Sequence, residues 1–266
     1  MDLSKTGSMR VETEVALECF LWGLDVLSRR DCGLILAGAY GCKGDRQLDR
    51  LIERLRRQKL LEQTGHGSAA KFAITDIGRK RLRVETPTEH WNHPWDGQWR
   101  AFLFDFPSTR TKERQMLWRA LRSAKMGLLQ RSVWIWPHEV EPYLRAVIQG
   151  HGIPECFCGF RASSLFLCDN VEVVRTGWNF ERIRHAHDIY LQHLVGNVHS
   201  VNRARDLQVL ARVGRIERDA YRDAFWFDPL LPRELWPKAY QGPLVEERHQ
   251  KFLACLRSRA KALATA

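Results

Sequence analysis

The feature that most constrains this chain is a helix-spaced row of leucines backed by a row of arginines, with two short strand-like segments directly after it. From Asp45 to Leu82 the sequence runs DRQLDRLIERLRRQKLLEQTGHGSAAKFAITDIGRKRL. Leu48, Leu51, Ile52 and Leu55 fall at i, i+3, i+4 and i+7, which is one face of an α-helix. Arg46, Gln47, Asp49, Arg50, Glu53, Arg54 and Arg57 take the other face. Leu60–Gln63 and Lys71–Thr75 are strand candidates on either side of a polar tip, Thr64–Ala70, and Thr75-Asp76-Ile77-Gly78-Arg79 opens a further basic helix. Upstream, Glu14–Leu27 and Leu34–Tyr40 carry helical apolar patterns, the second stopped by Gly41, and Asp45 suits the N-cap of the arginine-bearing helix. This order is that of a winged helix-turn-helix, expected over residues 1–84.

A helix that seats leucines in a core and turns arginines outward is suited to the major groove of duplex DNA. Arginine forks onto guanine and glutamine onto adenine, and the N-terminal part of such a helix meets the base edges. Arg46, Gln47 and Arg50 are the expected base readers, Arg54 and Arg57 the expected phosphate contacts, and His66 and Lys71 reach the backbone or minor groove from the tip. The competing reading is a solvated face on which Glu53 and Arg57 pair at i, i+4. Composition adds 42 Lys and Arg against 31 Asp and Glu, a formal charge of +11, which favours a polyanion: nucleic acid or an anionic membrane surface. No stretch approaches the roughly 18 apolar residues of a membrane span. The first twenty residues carry no signal-peptide core, so a cytoplasmic protein without membrane association is expected.

Chemistry-bearing motifs are sparse. The seven cysteines are odd in number and scattered, which is no disulfide framework. His151, Cys156, Cys158 and Cys168 lack the spacing of the common zinc knuckles, and the histidines at 185, 187, 193 and 199 form no H-E-x-x-H. A nucleophile elbow, a phosphate-binding loop and a dinucleotide fingerprint are all missing from the sequence. Neither an enzyme nor a cofactor is expected.

Val84–Pro94 holds prolines, histidines and acids with no apolar period, so a linker is expected at 85–95. After it, Trp95–Pro107 contains a strand apolar on both faces, Thr109–Ala124 a basic amphipathic helix, Met126–Pro137 a β-rich segment, Val140–Gln149 a helix and Ser164–Cys168 a closing strand. Alternation of strand and helix predicts a ferredoxin-like α/β sandwich over 96–170. Trp178–Leu194, with Phe180, Ile183, Ile189, Tyr190 and Leu194 as its main apolar positions, opens a helical C-terminal domain over 171–266. It continues helical to about Val213 and closes with a helix at Leu244–Leu263. The expected fold class is α+β.

The segment WDGQWRAFLFDFPSTRTKERQMLWRALRSAKMGLLQRSVWIWP resembles the central motif of the PaaX-like regulators, the phenylacetic acid degradation repressor family. The resemblance rests on Phe104-Asp105-Phe106-Pro107, on Gly127-Leu128-Leu129-Gln130-Arg131-Ser132-Val133-Trp134-Ile135-Trp136-Pro137, and on the later Asp228-Pro229-Leu230-Leu231-Pro232-Arg233-Glu234-Leu235-Trp236-Pro237 with Tyr240-Gln241-Gly242. It implies a dimeric transcriptional repressor with an N-terminal winged helix, released from its operator by an acyl- or aryl-coenzyme A thioester. Such an effector needs arginines for its phosphates and an apolar pocket for its aryl group. Arg161, Arg175, Trp178, Arg182 and Arg184 are candidates by composition. Two alternatives stand beside it: an operon regulator that needs no ligand, and a metal-dependent nuclease in which Asp105 of two protomers would hold Mg²⁺.

Overall fold

The computed structural model describes residues 27–40, 45–81, 86–150 and 157–264 of the 266. Glu14–Val26 of the first expected helix, the turn at 41–44, Val84, and two of the zinc candidates, His151 and Cys156, lie outside them. The chain is mixed helix and antiparallel sheet, so the α+β class holds. Among the described residues no helix is long and apolar enough to cross a membrane. Packing divides the chain into two units: one of 1–84, 189–222 and 244–266, the other of 85–188 and 223–243. The residues expected to form a separate C-terminal domain, 171–266, are shared between them.

The first unit begins with a two-residue strand β1 (Leu27–Ser28) and helix α1 (Arg29–Tyr40). Ser28 starts α1: its Oγ accepts from the Asp31 N–H at 3.1 Å and its own N–H donates to Asp31 Oδ2 at 3.3 Å, which satisfies helix-start groups reciprocally. Cys32, Ile35 and Ala39 form the buried stripe of α1. Then come α2 (Asp45–Arg57), β2 (Leu61–Thr64), a 3₁₀ turn at Gly67–Ala69, β3 (Lys71–Ile74) and α3 (Asp76–Arg81). Strand order is β1-β3-β2, antiparallel, with Leu61 opposite Ile74 and Leu27 opposite Phe72. Much of α8 (Phe180–Arg203), α9 (Leu207–Ala224) and α10 (Gly242–Ala264) completes this unit.

The packing of α1 on α9 is unusually close. A Cβ at Gly38 would lie 2.0 Å from the Gln208 carbonyl oxygen, so only glycine allows the approach. Deeper in this unit, the buried groups Tyr190, Glu217 and His249 share one polar cluster. Tyr190 donates to Glu217, and His249 Nδ1 lies 2.8 Å from the same carboxylate. Tyr221 stacks on His249 at 3.7 Å between ring centroids and donates to Glu246. Burial, reinforced by these carboxylates, pushes both phenols above their ordinary range.

The second unit opens with α4 (Pro87–Trp91), where a linker was expected. The reason is local: Thr86 and Glu89 form a capping box, Pro87 occupies the first turn, and Trp91 is buried, its Nε1 donating to Tyr240 Oη at 3.1 Å. The sheet follows as β4 (Trp99–Phe104), β5 (Gly127–Gln130), β6 (Val133–Trp136) and β7 (Phe157–Ala162), with α5 (Thr111–Ser123) and α6 (Glu141–Gly150) in the crossovers. Its order is β5-β6-β4-β7, antiparallel throughout, so the doubly apolar strand is central as expected. The β-rich segment is two strands rather than one, joined at Arg131–Ser132. The closing strand is Phe157–Ala162 and not Ser164–Cys168, which is loop with Phe166 83% and Leu167 98% exposed.

Alternation along the strands feeds two cores. Phe102, Phe104 and Trp134 pack with Leu117, Leu121 and Leu144 of α5 and α6. Trp99 and Ile135 point to the other face, where Val173 and Val174 of α7 (Asn170–Gly177), Trp178, Leu231 and Leu235 cover them. Neither α7 nor the break at 204–206 between α8 and α9 was expected. Ile189, expected inward, is 54% exposed.

Candidate nucleic-acid interface

Helix α2 matches its expected span, and its two faces divide as the pattern demands. Leu51, Ile52 and Leu55 are buried, whereas Arg46, Asp49, Arg50, Glu53, Arg56 and Arg57 are exposed. The side chains of Gln47 and Leu48 lie outside those described. The helix ends by a tight reversal: Lys59 sits at φ 57, its N–H bonds to Arg56 O at 2.8 Å, and the Leu60 N–H reaches back to Leu55 O at 2.9 Å. This pair of bonds is a Schellman ending, and it turns the chain straight into the hairpin.

The hairpin is locked to that turn by the Thr75-Asp76-Ile77-Gly78 sequence. The Thr75 N–H donates to Leu60 O at 3.1 Å, and Thr75 Oγ1 accepts from the Gly78 N–H at 3.0 Å, starting α3. A Cβ on Gly78 would lie 2.5 Å from Leu60 O, so the residue must be glycine for α3 to pack there. The sequence shows the motif, but this role needs the fold. At the tip Gly65 takes φ 75 and its carbonyl accepts from Gln63 Nε2 at 3.0 Å. His66 at the tip and Lys71 at the start of β3 are both exposed.

Charge on α2 is uneven. Glu53 accepts from Arg57 at 3.2 Å and from Arg56 at 3.3 Å, so the pairing weighed against DNA contact is present in the C-terminal half. Such exposed pairs are worth about 0.3–0.5 kcal/mol and yield readily to a phosphate. Arg54 is half-buried, whereas Arg46 and Arg50 stand exposed on the N-terminal half.

The effector candidates are not brought together. Arg161 lies on β7 and is bound to Glu139 at 2.7 Å, an ion pair that holds the Glu139 carboxyl below its usual range. It lines a groove of about 470 Å³ between α6 and the sheet, with Arg100, Phe102, Glu139, Arg145 and Phe160. Trp178 lies on the opposite face, buried in the second core, its Nε1 donating to Lys125 O at 2.9 Å. Arg175 is exposed in the last turn of α7, and the Arg182 guanidinium stacks 3.4 Å from the centroid of the Phe227 ring. Arg184 lines a separate small pocket with Phe180, His187 and Tyr240.

Asp105 is exposed just beyond β4. Among the described residues no group of three or more His, Cys, Asp or Glu is arranged to hold a metal ion. Of the clustered histidines, His187 is fully buried with Nε2 3.2 Å from Asp228, and His193 pairs with Asn197 at 2.8 Å.

Residues 92–174 match the family described as the PaaX protein central Cas2-like domain. A solved structure, the uncharacterized protein Rv0674 from Mycobacterium tuberculosis, is similar over 89% of this chain and 98% of that one, with a TM-score of 0.53 and 16% identity. At that identity the likeness concerns the fold alone. No curated protein matches the chain.

Proposed function

We propose that this chain, whose residues 92–174 match the PaaX central Cas2-like domain, is a DNA-binding transcription regulator of PaaX-like type whose reading head is α2 with the β2–β3 hairpin. The observation that carries this is the split of α2: leucine and isoleucine at 51, 52 and 55 are buried while Arg46 and Arg50 are exposed. The order β1-α1-α2-β2-β3, with β3 central, supports a winged helix-turn-helix, and the order β5-β6-β4-β7 supports a ferredoxin-like central domain. In this reading Arg46, Gln47 and Arg50 meet base edges, Arg54 and Arg57 meet phosphates, and His66 and Lys71 approach from the hairpin. Two copies of the chain bind two half-sites and repress transcription.

The test is selection of bound duplexes from a random pool, followed by Arg50→Ala against the selected site. Loss of about 1–3 kcal/mol with relaxed preference at one base position is expected for a base reader. Unchanged affinity for the selected site removes Arg50 from the interface, and failure to enrich any sequence removes the reading itself.

The distribution of Arg161 and Trp178 on opposite faces of the sheet favours a second version of this reading, in which no acyl- or aryl-CoA effector binds through those residues. Thermal-shift screening with such esters separates the two, because a ligand that binds the folded chain raises its melting temperature.

A further inference from the structure

Three arginines of the second unit are held by carboxylates. Arg100 is bound to Asp96 at 2.6 Å, Arg145 to Glu141 at 2.7 Å and Arg161 to Glu139 at 2.7 Å, so each cation is neutralised by a carboxylate. On helix α5, as for Arg182 over Phe227 and Arg233 over Trp236, the partners of the cations are not carboxylates. Arg114 Nη2 donates to the Phe106 carbonyl at 2.7 Å, and the Arg122 guanidinium lies 5.2 Å from the centroid of the Trp118 ring. Trp118 is itself fixed edge-on against Trp134, with centroids 5.4 Å apart and planes at 90°. These partners orient the two cations without cancelling their charge. No ion pair joins Lys112, Arg114, Arg119 or Arg122 to a carboxylate among the described residues.

The spacing makes one surface of them. Lys112, Gln115, Arg119 and Arg122 recur at i, i+3, i+7 and i+10 and are all exposed, while Leu117 and Leu121 on the other side are buried. A concavity of about 360 Å³ runs along this face, lined by Arg114, Gln115, Trp118, Arg119 and Arg122. From Lys112 to Arg122 the helix rises about 15 Å. That is the axial run of roughly four phosphates on one strand of B-DNA.

We propose that this face of α5 is a second nucleic-acid surface, one that grips the phosphate backbone of duplex DNA regardless of sequence. The identity of the polyanion rests on the proposed DNA-binding function. An anionic membrane is the poorer match, because a helix lying on lipid needs an apolar flank to insert, and the apolar flank of α5 is occupied by the domain core. Unneutralised cations in a row suit backbone contact, and for Arg114 and Arg122 part of the cost of fixing the side chain is already met within the fold.

The experiment uses the full chain, a random-sequence duplex of about 30 base pairs and a salt series, with K112Q/R119Q/R122Q compared with wild type and with R46Q/R50Q. Arg114 is left in place because it supports the Phe106 carbonyl. Each phosphate contact removed lowers the slope of log affinity against log salt by about 0.9. The triple variant is expected to lose about 2.7 units of slope, about 0.9 for each of three contacts, and at least about tenfold in affinity at moderate salt, with an unchanged circular dichroism melt. Wild-type binding that the triple variant reproduces in both affinity and slope overturns the inference and leaves the α2 reading standing. Failure of the wild type to bind any duplex overturns both. Loss of binding to phosphatidylserine vesicles, with duplex binding intact, also overturns it and makes lipid the partner.

Discussion

The hydroxyl of Thr75 donates to the backbone carbonyl of Lys59 at 2.6 Å, tying the end of the hairpin to the residue at which α2 reverses. Because the same oxygen accepts from the Gly78 N–H, one side chain sets where α2 stops, where β3 stops and where α3 starts. Thr75→Val keeps the shape and removes both bonds. It is expected to cost about 1–2 kcal/mol in urea unfolding. It should also weaken binding to the selected DNA site through misplacement of the hairpin. An unchanged unfolding midpoint would show that the bridge carries no stability.

Glycine-to-alanine substitutions should have opposite signs at two helical positions. At Gly38 the new methyl would lie 2.0 Å from Gln208 O, which forces α1 away from α9. A loss of about 1–3 kcal/mol is expected, outweighing the helix-propensity gain. At Gly196 in α8 nothing lies within 4 Å of the added Cβ, so the same change is expected to stabilise by about 0.5–1 kcal/mol. Thermal melts of the two variants give the comparison directly, and a Gly38→Ala chain as stable as wild type would refute the close packing.

His138 sets an acid limit on stability. Burial, with help from the charges of His93 and Arg100, lowers its pKa from 6.5 to about 4. The unfolded chain therefore binds a proton between these values that the folded chain refuses, and stability falls as pH drops from 6.5 towards 4. Half-exposure of the ring reduces the effect to on the order of 1 kcal/mol. His138→Gln should flatten the dependence of unfolding free energy on pH in that window; an unchanged slope would exclude the imidazole as its source.

Thiol reactivity should separate the described cysteines. Burial, and the neighbouring Asp31 carboxylate, push the Cys32 thiol up to about 12, while Cys158 and Cys168 are exposed. Mass mapping after brief alkylation at pH 8 is expected to find Cys158 and Cys168 modified and Cys32 intact until denaturant is added. Early modification of Cys32 would mean that α1 is not seated as described.

What the sequence disclosed follows from range. Local signals carried α2, the hairpin and the central strand, because leucine spacing, a glycine-bearing tip and a doubly apolar run each act within a few residues. Helix α4 was hidden by its own composition: two prolines and two histidines suggest a linker, yet Thr86, Pro87 and Glu89 start a helix that Trp91 anchors on Tyr240. Trp178 suggested a ligand pocket because an indole beside arginines looks available, and only the fold shows its N–H already used by Lys125. Asp228 was visible as part of a motif but not as a buried acceptor for Tyr240 Oη at 2.8 Å and for the Leu230 N–H at 2.8 Å. Long-range pairings of this kind leave no periodic trace.

The seat of α1 on α9 has a consequence for how the molecule comes into being. A translating ribosome releases the arginine-bearing helix long before it makes Gln208, and until then one flank of α1 stays uncovered. A newborn chain therefore leaves that flank of α1 open while its tail is still being synthesised, and a fragment cut at Val84 is expected to come out of cells as an aggregate rather than as a miniature of the whole.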